Sequence, residues 1–159
     1  MIEQRYKVIA DYCQNGIPAI KRTGLVVTDM SERYVKMTMP LEGNANHIGM
    51  MYAGSLFSIG EISGGVIHGA SFDTEKYVPI VKEVSIRFRR PALTDVTLEV
   101  TMTRQEADRI VKEAAEKGKA DFTLDLEIKD AGGEVVSIVH GIWQIRKMPE
   151  GIPSPFPKP

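Results

Sequence analysis

The sequence predicts an α+β domain in which one long apolar helix is wrapped by a curved antiparallel sheet. Three observations predict it. Residues 46–65, NHIGMMYAGSLFSIGEISGG, carry one formal charge, Glu61, inside an apolar, glycine-rich run. Three later segments alternate apolar and polar residues with the period of two of half-buried strands, and a fourth is apolar on both faces. A helix that is apolar almost all round cannot face water, so the strands must enclose it.

Each element has its own signal. Ile2, Tyr6, Ile9 and Cys13 form a stripe of helical spacing over residues 2–14, stopped by Gly16 and Pro18. Residues 24–40 read as two strands around a turn at Asp29–Glu32. In the second, Val35, Met37 and Met39 alternate with Lys36 and Thr38, and Pro40 ends it. A loop rich in Gly and Asn, 41–51, leads into the long helix, 52–69. Val84, Ile86 and Phe88 then face one way and Ser85, Arg87 and Arg89 the other, up to Pro91. Val96, Leu98, Val100 and Met102 form the next alternating face. Thr103 and Glu106 have the spacing of a capping box and Gly118 suits a helix C-terminus, so 104–118 is a short amphipathic helix laid on the sheet. Phe122, Leu124, Leu126 and Ile128 alternate with polar residues up to the hairpin signal DAGG at 130–133. The last strand, 134–146, is apolar on both faces over VVSIV and belongs in the middle of the sheet. The predicted domain covers 1–148, with an N-terminal helix and connection at 1–22. Residues 149–159 form a proline-rich tail, extended and loosely held.

The bulk composition narrows the function classes. A chain of 159 residues predicts one domain with a real core. A net charge of −1 gives no electrostatic reason to expect nucleic acid or an acidic membrane as a partner. The single cysteine, Cys13, excludes an internal disulfide framework and fits a reducing compartment; its place on the apolar stripe makes it a small buried hydrophobe. Charged residues Glu3, Arg5 and Lys7 leave no signal-peptide core. The longest run free of both charged residues and histidine, 48–60, is too short to span a bilayer. The expected location is the cytoplasm.

On residues 46–61 and the strand order after them, the sequence resembles the hotdog fold, in particular acyl-CoA thioesterases of the phenylacetate-degradation type. Those enzymes carry Asn-x-x-Gly-x-x-His-Gly-Gly, then Asp or Glu seven residues after the last Gly. This chain has Asn46, Gly49, Tyr52-Ala53-Gly54 and Glu61 at that spacing. Tyr52 stands where the His is usual, and Ala53 replaces the first Gly. Val81 matches the position where some relatives place Ser or Thr. The helix at 104–117 looks like the extra element of a less characterised branch.

The resemblance implies hydrolysis of an acyl-CoA thioester. The backbone N–H of Ala53, with that of Gly54 beside it, would stabilise the oxyanion, Asn46 would orient the water or the carbonyl, and Glu61 would act as general base or nucleophile. Physical chemistry is consistent with these roles: a helix N-terminus offers free N–H groups and positive potential, and a glycine lets a ligand approach the backbone. Gly54, Phe57, Ser58, Gly64, Gly65 and His68 share the face of Glu61, and most are small, so that face is a groove for an acyl chain or a second helix. Ala53 and Glu61 are eight residues apart, roughly 12 Å along the axis, too far for one carbonyl to touch both. Two antiparallel copies of the helix would close the gap. A homodimer at least, with the site at the subunit boundary, is expected; a homotetramer is equally compatible.

The remaining candidates carry two readings each. His47 either contacts substrate or is a surface-loop histidine. Tyr52, Phe57, Met50 and Met51 line an acyl pocket or fill core. Arg89 and Arg90, with Arg87, either hold the phosphates of coenzyme A or are solvent-facing strand charges. His68 lies about 10 Å from Glu61, beyond direct pairing, and His140 sits in a strand. The three histidines lack metal-ligand spacing, so no metal and no cofactor beyond the coenzyme A of the substrate is expected. No Ser stands in a nucleophile-elbow sequence. Two alternatives remain on the same scaffold: a non-catalytic acyl-thioester or lipid-binding protein, and a dehydratase or hydratase.

Overall fold

The structure is a computed structural model that describes residues 1–157, so the last two residues of the proline-rich tail lie outside the described residues. After a 3-10 turn at Gln4–Tyr6 come α1 (Lys7–Asn15) and the single-turn α2 (Pro18–Lys21). The strands β1 (Val26–Ser31) and β2 (Tyr34–Met39) precede α3 (Ala53–Ser71). Then follow β3 (Tyr77–Phe88), β4 (Val96–Thr101), α4 (Arg104–Lys117), β5 (Lys119–Asp130) and β6 (Val135–Lys147). The six strands form one antiparallel sheet in the order β1-β2-β4-β5-β6-β3.

The α3 helix lies against the sheet and touches five of its strands. Glycines on α3 set how close the sheet comes: a Cβ at Gly60 would stand 2.8 Å from Val139, and one at Gly64 only 2.3 Å from the Trp143 indole. Small residues therefore let the helix settle on β6 while Ile59, Val66 and Ile67 fill the space beside it with no solvent exposure. The methionines Met30, Met37 and Met39 from β1 and β2 close the core from the other side. The α1 helix buries Ile9, Ala10 and Cys13 against β1 and α3.

Most predicted elements are present, and the differences have physical reasons. The first turn falls at Glu32–Arg33 rather than Asp29–Glu32, because Arg33 takes a positive φ of 60° and donates its N–H to the Ala70 carbonyl (2.9 Å). The α4 helix has the expected caps: Thr103 Oγ1 accepts from the Glu106 N–H (3.1 Å), and Gly118 adopts φ 77°. Glu106 does not complete the capping box; its carboxylate pairs with Arg109 instead (2.7 Å). The last strand is internal, between β5 and β3. The face Val84–Ile86–Phe88 is covered only in part: β3 is an edge strand, Val84 and Ile86 are half-buried against the core, and Phe88 is 49% exposed. The tail is not loose along its whole length, since Phe156 packs 5.2 Å from the Tyr12 ring and 5.3 Å from that of His68.

Candidate active site

The loop before α3 is held by two asparagines with different tasks. Asn46 turns its Oδ1 back onto its own loop, accepting from the Ile48 and Met50 N–H groups (3.0 and 3.1 Å), while Gly49 supplies the positive φ of 82° the turn needs. Asn44 is buried. Its amide donates to the Thr23 and Pro40 carbonyls (2.7 and 2.8 Å), and its Oδ1 accepts from the Ser55 hydroxyl (2.9 Å). Its carbonyl also receives the Tyr52 N–H (2.7 Å), so Asn44 fixes the direction in which the chain enters the helix.

Tyr52 ends the loop in extended conformation, and its carbonyl takes the N–H groups of Ser55 and Leu56. The amides of Ala53 and Gly54 then have no acceptor among the described residues. They are orphan donors of a helix N-terminus, where the aligned peptide dipoles add positive potential. A Cβ at Gly54 would stand 2.4 Å from the Tyr52 ring, so a larger residue there would have to turn that exposed side chain away. Around this tip lies a cavity of about 330 Å³ lined by Asn46, Met50, Ala53, Phe88, Arg89 and Arg90. The arginines are anchored by their own backbone, both N–H groups reaching the Val136 carbonyl, and Arg90 pairs with Glu134 at 3.3 Å.

Glu61 stands two turns further along α3, half-buried, with no hydrogen bond or ion pair among the described residues. Burial alone raises its carboxyl above the usual carboxylate range. It sits where two cavities meet. The inner one, about 260 Å³, lies beneath α1 and is lined by Tyr12, Cys13, Ile62, Val78, Trp143 and Phe156, among others; Glu61 is its one charged lining residue. The outer one, about 440 Å³, is a groove along the start of α3 and the middle of β3, lined by Phe57, Ser58, Val81 and Lys82. Ser58 spends its hydroxyl on the Gly54 carbonyl (2.7 Å).

The structure thus brings the predicted residues together in two sets. Asn46, Ala53, Arg89 and Arg90 share the tip cavity, and Glu61, Phe57 and Ser58 share the outer groove. Within one chain the sets are not joined; about 12 Å of helix separates them. His47 and Tyr52 are both exposed, Tyr52 at 58%, and neither lines the tip cavity. Val81 lines both cavities at Glu61, at the position the sequence comparison with Ser or Thr singled out.

One expectation is corrected. The small residues on the Glu61 face do not form one continuous groove, because the Trp143 side chain of β6 fills the space at Gly64. Only Gly65, with nothing within 4 Å of a Cβ, stays open to the inner cavity. His68 is fully buried between Phe72 and Phe156, and neither ring nitrogen has a hydrogen-bond partner of ordinary geometry among the described residues. Burial lowers its pKa to about 3, and the nearby Tyr77 backbone opposes this only in part, so the ring is neutral and behaves as an aromatic wall. Burial pushes the Cys13 thiol up to about 12, which leaves it unreactive. His140 pairs with Asp125 (2.7 Å) on the exposed sheet surface, remote in register from both sets.

Sequence reasoning missed Asn44, Trp143 and Phe156. Asn44 had a signal, a second Asn two residues before the motif Asn, but only the buried hydrogen bonds give it a task. No local signal could have brought a tail phenylalanine next to a helix histidine eighty-eight positions earlier.

Among the described residues no helix is long and apolar enough to cross a membrane. Comparison with known proteins gives three likenesses. A family described as a domain of unknown function, DUF4442, matches residues 7–145. A Pseudomonas aeruginosa protein of unknown function, described as a probable thioesterase, superposes with a TM-score of 0.86 at 37% identity, covering 92% of this chain and 99% of that one. At 14% and 16% identity, a thioesterase from Haemophilus influenzae (TM-score 0.69, covering 90% of this chain and 91% of that one) and the PaaI protein of the phenylacetic acid degradation operon of E. coli (TM-score 0.63, 91% and 94%) share the fold. No curated protein matches the sequence. The fold is the hotdog fold: a central helix in a curved antiparallel sheet.

Proposed function

The chain belongs to the DUF4442 family, and we propose that it hydrolyses acyl-CoA thioesters to the free acid and coenzyme A. One observation carries this reading. A single helix presents two orphan amides at its N-terminus and, two turns on, an unpaired carboxylate whose pKa is raised by burial. Amides aimed at a developing oxyanion and a base with a pKa nearer neutrality are the two things ester-type hydrolysis needs. The description of the Pseudomonas aeruginosa relative as a probable thioesterase supports the same chemistry.

In this reading the active unit is a homodimer in which two α3 helices run antiparallel. The Ala53 and Gly54 amides of one subunit then face Glu61 of the other. The long outer edge of β3 supports this, because a 12-residue strand that pairs with β6 on one side alone, and carries exposed Val81 and Phe88 with exposed Phe57 nearby on α3, is a template for a second copy. Water adds to the thioester carbonyl as Glu61 takes its proton, or Glu61 itself attacks and water releases the acyl group afterwards. In both cases the C–S bond breaks and the thiolate of coenzyme A leaves with a proton. Asn46 holds the loop that aims the amides, and Arg89 and Arg90 bind the phosphates. The reaction needs no further cofactor, and a buried, reduced Cys13 suits the cytoplasm.

Thiol release from a panel of acyl-CoAs tests the proposal. Wild-type protein is expected to turn over at least one, and E61Q to lose roughly a hundredfold or more. Undiminished turnover in E61Q removes Glu61 from the chemistry. Binding without any thiol release in the wild type assigns instead a non-catalytic acyl-thioester or lipid-binding protein.

A further inference from the structure

The inner cavity at Glu61 ends against the C-terminal tail. Beyond β6 the chain is pinned by the Met148 N–H on the Lys76 carbonyl (2.8 Å) and turns at Pro149, where the carbonyl accepts the Ile152 N–H (3.2 Å). It then runs back so that Phe156 lodges between Tyr12 of α1 and His68 of α3. Pro149, Pro153, Pro155 and Pro157 restrict the free tail, which lowers the entropy lost on docking. Phe156, Tyr12 and Trp143 line the same cavity that holds the Glu61 carboxylate.

We propose that this cavity receives the acyl chain of the thioester and that Phe156 is the wall that sets how long that chain can be. The inference rests on the hydrolytic reading of Glu61 for its substrate, and on geometry for the rest. The carboxylate marks where the carbonyl must sit, at the meeting of the outer groove and the inner cavity. From there the inner cavity offers an apolar path beneath α1 in which Glu61 is the one charged lining residue, so a hydrocarbon chain suits it and a polar group does not. Its volume of about 260 Å³ equals the liquid share of roughly nine waters, and one methylene takes up about as much space as one water, so the pocket fits a chain of short to medium length. Phe156 is a removable boundary: it belongs to no helix or strand, and it is held by ring contacts to Tyr12 and His68. His68 behind it is neutral and fully buried, so the wall is apolar through its depth. The tail is therefore a specificity element, supplied from outside the α3 motif.

Full-length protein carrying Phe156→Ala or Phe156→Trp tests this in two arms. The first measures kcat/KM for straight-chain acyl-CoAs from butanoyl to tetradecanoyl. Phe156→Ala is expected to raise the long-to-short preference roughly tenfold or more, and Phe156→Trp to lower it, since each methylene in an apolar pocket is worth at least that order. A chain-length profile that neither variant shifts overturns the proposal. The second arm titrates wild type and Phe156→Ala with fatty acids of the same lengths and follows Trp143 fluorescence, a clean reporter because it is the sole tryptophan of both proteins and lines the cavity. Longer acids are expected to bind Phe156→Ala more tightly than wild type; identical affinities for all lengths overturn the proposal. If the wild type cleaves no acyl-CoA, the hydrolytic reading fails and the fluorescence arm alone decides the role of Phe156.

Discussion

Trp143 lies on Gly64 so closely that a Cβ at position 64 would stand 2.3 Å from the indole nitrogen, whereas one at the next residue, Gly65, would meet nothing within 4 Å. Two adjacent glycines of one helix therefore answer the same substitution in opposite ways. Gly64→Ala should destabilise by about 1–3 kcal/mol, the usual cost of overpacking. Gly65→Ala should be neutral or stabilise by up to about 1 kcal/mol through helix propensity. Urea unfolding of the two variants checks this, and equal losses would contradict the packing described.

Ala53 offers a clean way to delete a backbone donor. It is the first residue of α3, where proline is tolerated, and Tyr52 before it already has the φ of −61° and ψ of 137° that a following proline demands. Ala53→Pro should fold with unchanged thermal stability and lose on the order of a hundredfold or more in kcat. Mixing it with E61Q under conditions of subunit exchange should restore about one quarter of wild-type activity, because half the dimers are mixed and each has one intact site. No recovery on mixing, with exchange shown to occur, would place both groups of a site on one chain.

The raised pKa of Glu61 has a definite sign in stability. Below the unfolded value, about 4.3, the group is protonated in both states and folding is unhindered; as pH climbs through the raised folded value, the folded chain must keep a charge that the unfolded chain leaves in water. E61Q should therefore melt higher than wild type near pH 7, and the two should converge below about pH 4. The acid limb of kcat/KM should also lie above the pH at which a free glutamate titrates. A melting difference independent of pH would show that burial does not act on this carboxylate.

His68 has the opposite sign. Its folded pKa, about 3, lies below the unfolded value, so its contribution is complete above about pH 6.5 and is lost as pH falls towards 3. By pH 5 the loss is about 2 kcal/mol. Replacing it with phenylalanine, which matches its aromatic neighbours Phe72 and Phe156, should flatten the acid side of the stability curve. An unchanged slope between pH 6.5 and 4 in that variant would refute this origin of acid sensitivity.

Arg89 and Arg90 line the tip cavity with Ala53, and their double replacement by alanine should raise KM for acyl-CoA several-fold or more while leaving kcat nearly constant, as expected when a uniform phosphate contact is removed. Steady-state kinetics at low salt read this directly. An unaltered KM would return both residues to solvent-facing charge.

Much of this architecture was legible because local pattern and global fold agree. The alternation of Phe122, Leu124, Leu126 and Ile128 marks β5 because that strand has one covered face, and Thr103 with Gly118 marks α4 because both termini need partners. The motif residues from Asn46 to Glu61 pointed to both halves of the proposed site for the same reason: loop, tip and carboxylate follow one another in sequence. What stayed hidden depends on contacts across long separations. Phe88 alternates like a core residue but sits on an outermost strand, Trp143 fills a gap that helical spacing alone left empty, and Phe156 acquires its role only through Tyr12 and His68.

The position of β6 also governs how the chain is made. Its neighbours in the sheet are β5, which precedes it directly, and β3, whose residues leave the ribosome far earlier; Val81 must wait for Trp143. During that interval the nascent β3 has no in-chain partner for its backbone, since β6 is the one strand it pairs with. Synthesis of the final strand is therefore the event that joins β3 to the sheet around α3, and a ribosome stalled before Val135 would display an unfinished, adhesive intermediate for chaperones to shield.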